Sequence, residues 1–293
     1  MAKKMAFRAV TYRSTDDRLN LFARDYPGGE DASPTPLLMM HGLTRSSADF
    51  GPLADHLGEK YRMIVPDQRG RALSDYDPDP ALYRPDIYVA DMWALLDTLG
   101  IERATLVGTS MGGLMSMIMG ATRPDRISAI ILNDIGAEVM QEGLDRIRTY
   151  VGGRDIMKDW EEAADRCKAI NHTAMDGFTA TDWMAFARRT CEETPEGGVR
   201  FAYDPAISAG MEEEDPSAVP PDLWPMWDML ADIPVLVLRG ANSDLLSAET
   251  VQQMKARHSG PFAHADIAGR GHAPILDEPD SLAAIEPFLE AHG

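Results

Sequence analysis

Apolar residues fall along this chain in two alternating textures. Short continuous runs, Pro36–Met40, Tyr61–Pro66, Ala104–Val107, Ile127–Asn133 and Pro234–Arg239, read as strands buried on both faces. Between them lie stretches with helical spacing. Phe50–Leu57 is one, with Pro52 in its first turn. Ile87–Leu99 is another, stopped by Gly100. Leu114–Ala121, Ala248–His258 and Ser281–Ala291 follow the same rule. Phe7–Tyr12 and Leu19–Tyr26 read as two strands joined by the turn residues Ser14–Asp17, and Ala263–Ile267 reads as a last strand. Strands alternating with helices predict an α/β fold with a mainly parallel, eight-stranded sheet covered on both faces.

The pattern breaks between Gly136 and Ala231. Helical stretches near 138–151, 158–172 and 179–190 alternate with Gly, Pro and acidic loops, and the one short strand-like run is Val199–Tyr203. We read 136–231 as a helical cap inserted into a core made of 1–135 and 232–293. The acidic run Met211–Pro216 reads as a solvated loop.

Composition narrows the setting. The 293 residues are 44% hydrophobic, which suits a globular chain with a sizeable core. A net charge of −19 disfavours the phosphate backbone of nucleic acids and anionic membrane surfaces. The basic N-terminus precedes no signal-type apolar stretch, and no run is long enough to span a membrane. The two cysteines, Cys167 and Cys191, form no metal or disulfide framework by spacing. A cytoplasmic protein with reduced thiols, monomeric or homodimeric, is the expectation, with no metal and no cofactor.

The chemistry gathers at Gly108-Thr109-Ser110-Met111-Gly112. A buried strand precedes it and a buried helix follows, so the chain must turn sharply at Ser110. Glycines two residues to either side let strand and helix approach each other around the serine. The Met111 N–H then lies at a helix N-terminus, where it can stabilise an oxyanion. This Gly-x-Ser-x-Gly turn resembles the nucleophile elbow of the α/β-hydrolases, and the resemblance extends over nearly the whole chain.

That resemblance implies a serine nucleophile, an acid and a histidine in that chain order. Asp244, in Gly240-Ala241-Asn242-Ser243-Asp244, is the expected acid. His272, in Gly269-Arg270-Gly271-His272-Ala273-Pro274, is the expected base. Asp134, in Asn133-Asp134-Ile135-Gly136, competes with Asp244, since some hydrolases of this fold carry the acid there. The family's His-Gly-x pattern appears as His41-Gly42-Leu43 and makes the Leu43 N–H the second oxyanion donor. His41 itself reads as structural. Asp67–Asp75 resembles the family's Asp-x-Arg-Gly-x-Gly-x-Ser loop, with Ala72 at the second glycine, and Arg69 and Ser74 are expected to pin loops beneath the site.

The cap should select the substrate. Of Trp160, Phe178, Trp183, Phe186, Phe201, Tyr203, Trp224 and Trp227, two or three are expected to face the pocket. Met115, Met140 and Leu246, with Trp183, would add an apolar wall. The expected activity is therefore hydrolysis of a small apolar carboxylic ester or lactone through an acyl-enzyme. Two alternatives stay open: hydrolysis of a carbon–carbon bond in a ring-cleavage diketone, and a ligand receptor on a hydrolase scaffold.

Overall fold

A computed structural model describes residues 4–209 and 222–293. The acidic run Met211–Pro216 lies outside the described residues.

Eight strands form one sheet in the order β1 (Arg8–Arg13), β2 (Asn20–Tyr26), β4 (Tyr61–Pro66), β3 (Ser33–Met40), β5 (Ala104–Thr109), β6 (Ile127–Asn133), β9 (Val235–Gly240), β10 (Phe262–Ile267). Pairings β1–β2 and β2–β4 are antiparallel, and the remaining five are parallel. The apolar runs behave as period-2 strands with both faces covered. Leu38, Met40, Leu106, Ile130, Leu132, Val235 and Val237 pack on one side with α2 (Pro85–Thr98) and α3 (Met111–Thr122). Leu37, Met39, Val107, Ala129, Ile131, Leu236 and Leu238 pack on the other with α1 (Gly51–Leu57) and with Pro279–His292, the last helix of the chain. Among the described residues no helix is long and apolar enough to cross a membrane.

Between β6 and β9 the chain leaves the sheet. It forms α4 (Gln141–Arg148), α5 (Trp160–Asn171), α6 (Ala180–Thr190) and a hairpin of β7 (Cys191–Glu193) and β8 (Val199–Phe201). Local chemistry starts these helices. Asp159 caps α5, and Thr179 with Asp182 makes a reciprocal capping box on α6. The insert has its own core around Trp183, Phe186, Cys167, Met157 and Val199. Cys167 and Cys191 are buried there as free thiols, side by side. The insert contacts loops at the carboxyl edge of the sheet. Gly143 N–H donates to Asp244 O, and Ala72 N–H donates to Ala202 O.

Beneath that edge Arg69 is fully buried, with Nε and Nη2 on Asp91 (2.8 and 2.9 Å) and Nη1 on Asp77 (2.7 Å). Ser74 Oγ donates to Asp67 O and accepts from Phe22 N–H. Both residues thus tie the loop after β4 to its neighbours. Removing one partner of a buried ion cluster strands the others without water. Arg69→Met should lower the unfolding free energy by about 3–5 kcal/mol in urea denaturation. Asp91→Asn, which keeps a hydrogen-bonding group, should cost less.

Candidate active site

Strand β5 ends and α3 begins around Ser110, which is forced to φ 51°. A non-glycine residue with positive φ is uncommon and strained. Here the turn aims Oγ outward, while close packing around it holds the turn. A Cβ on Gly112 would collide with the Met40 carbonyl, and one on Gly108 with the Gly112 carbonyl. Both positions therefore demand glycine by contact, independent of φ.

Ser110 Oγ lies 2.8 Å from His272 Nε2, and His272 Nδ1 lies 2.8 Å from Asp134 Oδ2. The carboxylate only accepts, so Nδ1 carries the proton and Nε2 accepts the serine hydroxyl. Asp134 is fully buried and reached from three sides. Gly240 N–H donates to Oδ1 at 2.8 Å, and Ser243 Oγ–H donates to Oδ2 at 2.6 Å beside His272. Three donors thus converge on the buried carboxylate and fix its orientation.

The acid in contact with the histidine is thus Asp134, and the expectation for Asp244 is corrected. Asp134 directly follows β6, where a left-handed backbone (φ 55°) redirects its side chain. The loop after β9 turns back through Ser243 N–H on Gly240 O, which delivers Ser243 to Asp134. Asp244, one residue on, is bound by Arg146 of α4 through Nε and Nη2, the latter at 3.0 Å. Burial alone would raise the Asp244 carboxyl, but the Arg146 pair outweighs it and holds it below the usual carboxylate range. The role of Ser243 is not legible in the sequence, since a serine in a turn carries no signal of what it supports. The role of Asn133 is hidden for the same reason. Its Nδ2 joins Thr109 Oγ1 (3.0 Å) to Pro274 O (2.8 Å), tying the serine strand to the histidine loop.

The backbone N–H groups of Leu43 and Met111 have no hydrogen-bond partner among the described residues. Gly42 lies against Ser110, where an added Cβ would come 3.8 Å from Ser110 Cβ. Buried Arg71 holds the Leu43 carbonyl through Nε (3.1 Å) and bonds Arg69 O and Tyr88 Oη. His41 supports the same loop. Its Nε2 accepts from Gln68 N–H (3.1 Å), so Nδ1–H donates to Gly42 O (2.7 Å). Burial pushes the His41 imidazole down to about 4. The folded state holds it neutral, while the unfolded chain protonates it near 6.5. This contribution to stability is complete above about pH 6.5 and is lost as pH falls toward 4. His41→Gln should therefore flatten the decline in unfolding free energy between pH 7 and 4.5, measured against the parent by urea denaturation.

A cleft of about 930 Å³, open mouth included, lies over Ser110 and His272. Tyr150, Phe186, Phe201 and Tyr203 are the aromatic residues of the insert that line it, along with Ile147, Ile170 and Met175. The four residues expected there are elsewhere. Met115 and Leu246 are fully buried in the sheet core, and Trp183 packs between Phe178 and Phe186 inside the insert. Met140 precedes α4 and bonds Leu245 O through its N–H. Met115 and Leu246 follow the two active-site turns in sequence, but each side chain points into the core those turns cover. Sequence proximity to a site does not fix side-chain direction.

The alpha/beta hydrolase fold model matches residues 35–279. A 3-hydroxybutyrate-oligomer hydrolase from Cupriavidus necator is 32% identical, over 89% of this chain and 90% of its own length. A 2-(acetamidomethylene)succinate hydrolase from Mesorhizobium japonicum is 28% identical, over 89% and 90%. The crystal structure of an alpha/beta hydrolase from Novosphingobium aromaticivorans superposes with a TM-score of 0.89 at 40% identity, covering 98% of this chain and 99% of that one. With its sheet order, its serine turn and a family match over most of its length, this chain belongs to the α/β-hydrolase family.

Proposed function

We propose that this hydrolase cleaves a small carboxylic ester through an acyl-enzyme, with Ser110 as nucleophile, His272 as base and Asp134 as the orienting acid. The observation that carries the reading is the unbroken path Ser110 Oγ–His272–Asp134, with 2.8 Å at each step. The serine hydroxyl is a weak nucleophile until a base takes its proton. His272 Nε2 accepts that proton as Oγ attacks the ester carbonyl carbon. The carbonyl oxygen, now anionic, is held by the Leu43 and Met111 N–H groups. Collapse of this intermediate breaks the bond to the alcohol, which leaves with the proton from His272. Water then attacks the acyl-enzyme, giving its proton to the same nitrogen, and collapse breaks the bond to Ser110 Oγ, which takes that proton from His272 as the acid is released. Asp134 fixes the tautomer throughout and stabilises the imidazolium. The insert over the cleft acts as the cap that selects the acyl or alcohol group, and the oligomer-hydrolase name of the Cupriavidus relative supports ester chemistry.

The test is steady-state hydrolysis of p-nitrophenyl esters of graded acyl length. The reading expects turnover that peaks at one length and sizes the acyl pocket. A second reading, carbon–carbon bond hydrolysis by the same three residues, draws support from Arg45 in the cleft wall, since a diketone substrate carries enol and carboxylate groups. A folded protein inactive on every ester would favour it.

A further inference from the structure

The base sits on a stretch without secondary structure of its own. Gly269–Glu278 joins β10 to the last helix, Pro279–His292. Part of its backbone is bonded instead to the insert. Gly271 N–H donates to Ala174 O (2.9 Å) and Asp176 N–H donates to Gly269 O (3.0 Å), an antiparallel bridge between Met175 and Arg270. The fit is close, since a Cβ on Gly271 would come 2.9 Å from Ala174 Cα. His272 is the next residue, and Met175 lines the cleft. The Asn133 bond to Pro274 O secures only the far side of His272.

Arg270 fastens the near side. Its Nε donates to Glu278 Oε1 (2.8 Å), and its Nη1 donates to Asp176 O and Gly269 O, each at 3.1 Å. Its guanidinium lies 5.1 Å from the ring centre of Phe178, another residue of the insert. A single side chain therefore touches the start of the base loop, its far end and the insert. Glu278 is buried, and it also accepts from Ile275 N–H (2.9 Å) and Ser281 Oγ–H (2.8 Å). Arg270 precedes His272 and Glu278 follows it, so the ion pair closes the loop around the base. If the pair served only to neutralise Glu278 at the start of the last helix, Nε alone would do so. Nothing would then require Nη1 to face the two carbonyls of the junction. Acyl transfer, by contrast, needs His272 Nε2 aligned on Ser110 Oγ, and a misplacement of about 1 Å can cost about 100-fold.

We propose that Arg270 is a positioning residue for His272. With Glu278 it locks the base loop to the insert segment Ala174–Asp176, so the insert, besides walling the cleft, sets the alignment of the imidazole with Ser110. This rests on the roles given to Ser110 and His272 in the ester reading and adds a residue that acts through the base.

The experiment follows the rate at which a fluorophosphonate labels Ser110, read by intact mass, beside kcat and KM on a p-nitrophenyl ester. Labelling needs the serine and its base but no ester. Arg270→Met alone strands the buried Glu278 carboxylate and can unfold the loop, so two other variants carry the test. Arg270→Met/Glu278→Gln removes both charges. Arg270→Lys keeps a cation for Glu278 but lacks the second arm of the guanidinium. With folding checked by circular dichroism, the double variant should label about tenfold or more slowly and lose kcat by a similar factor, with KM changed by less than about threefold. Arg270→Lys should fall between it and the parent. The far-downfield proton resonance of His272 Nδ1–H, donated to Asp134, should move or broaden in both. Asp159→Ala, which removes the cap of α5 elsewhere in the insert, should lower stability and leave labelling and resonance at the parent values. Folded Arg270 variants that label at the parent rate with the resonance unchanged would overturn the proposal, as would an equal loss in Asp159→Ala. Arg270-dependent labelling with no hydrolysis of any ester keeps the clamp and removes the ester reading. Ester turnover and labelling indifferent to Arg270 keep the ester reading and remove the clamp.

Discussion

Ser110→Ala should lower kcat on any ester that the parent hydrolyses by at least about 10³-fold, with little change in KM. His272→Ala should fall to about the same level, and the double variant no further. The reason is geometric. The serine hydroxyl and the imidazole are joined by one 2.8 Å hydrogen bond, and neither works without the other. What remains in each variant is binding in the cleft and the two N–H groups of Leu43 and Met111. Additive losses in the double variant would show that the two residues act separately, which the acyl-enzyme mechanism forbids. A burst of p-nitrophenol equal to the enzyme concentration, absent in Ser110→Ala, would report the acyl-enzyme directly.

Asp134→Asn should cost about 10³–10⁴-fold in kcat while the protein stays folded. The Gly240 N–H fixes an oxygen at the Oδ1 position, so the new amide NH₂ falls at Oδ2. Ser243 can rotate its hydroxyl to accept from that group, but His272 Nδ1 then faces a donor. The imidazole adopts the other tautomer, with its proton on Nε2, and can no longer take one from Ser110. Asp244→Asn should change kcat by less than about tenfold, because its carboxylate serves Arg146 of α4. The comparison is made on one ester at saturating concentration with both proteins shown folded by circular dichroism. A large loss in Asp244→Asn with a small one in Asp134→Asn would reverse the assignment.

The chain order of apolar runs specifies the fold. Strands buried on both faces must be nearly all apolar, and Leu37–Met40, Leu106–Val107 and Ile130–Leu132 leave no other reading. Ser110 and His272 were equally legible, since a strand-to-helix turn needs glycines at contact distance and the histidine loop follows the last strand. These are local constraints, written in adjacent residues. The acid was not local. Asp134 and Asp244 both follow parallel strands at the same sheet edge, and the spacing of each is compatible with the fold. Only the packed structure decides between them, through the positive φ at Asp134, the Ser243 turn that supports it and the Arg146 side chain that takes Asp244 away. The pocket wall follows the same logic. Met115 and Leu246 are near the site in sequence but face the core, while Phe186, Tyr203 and Arg45 converge on it from separate elements. Backbone periodicity and turn chemistry are properties of neighbouring residues, so sequence by itself determined them. The direction of a side chain, and which of two carboxylates meets the imidazole, depend on contacts between distant segments, so only the tertiary structure decided those.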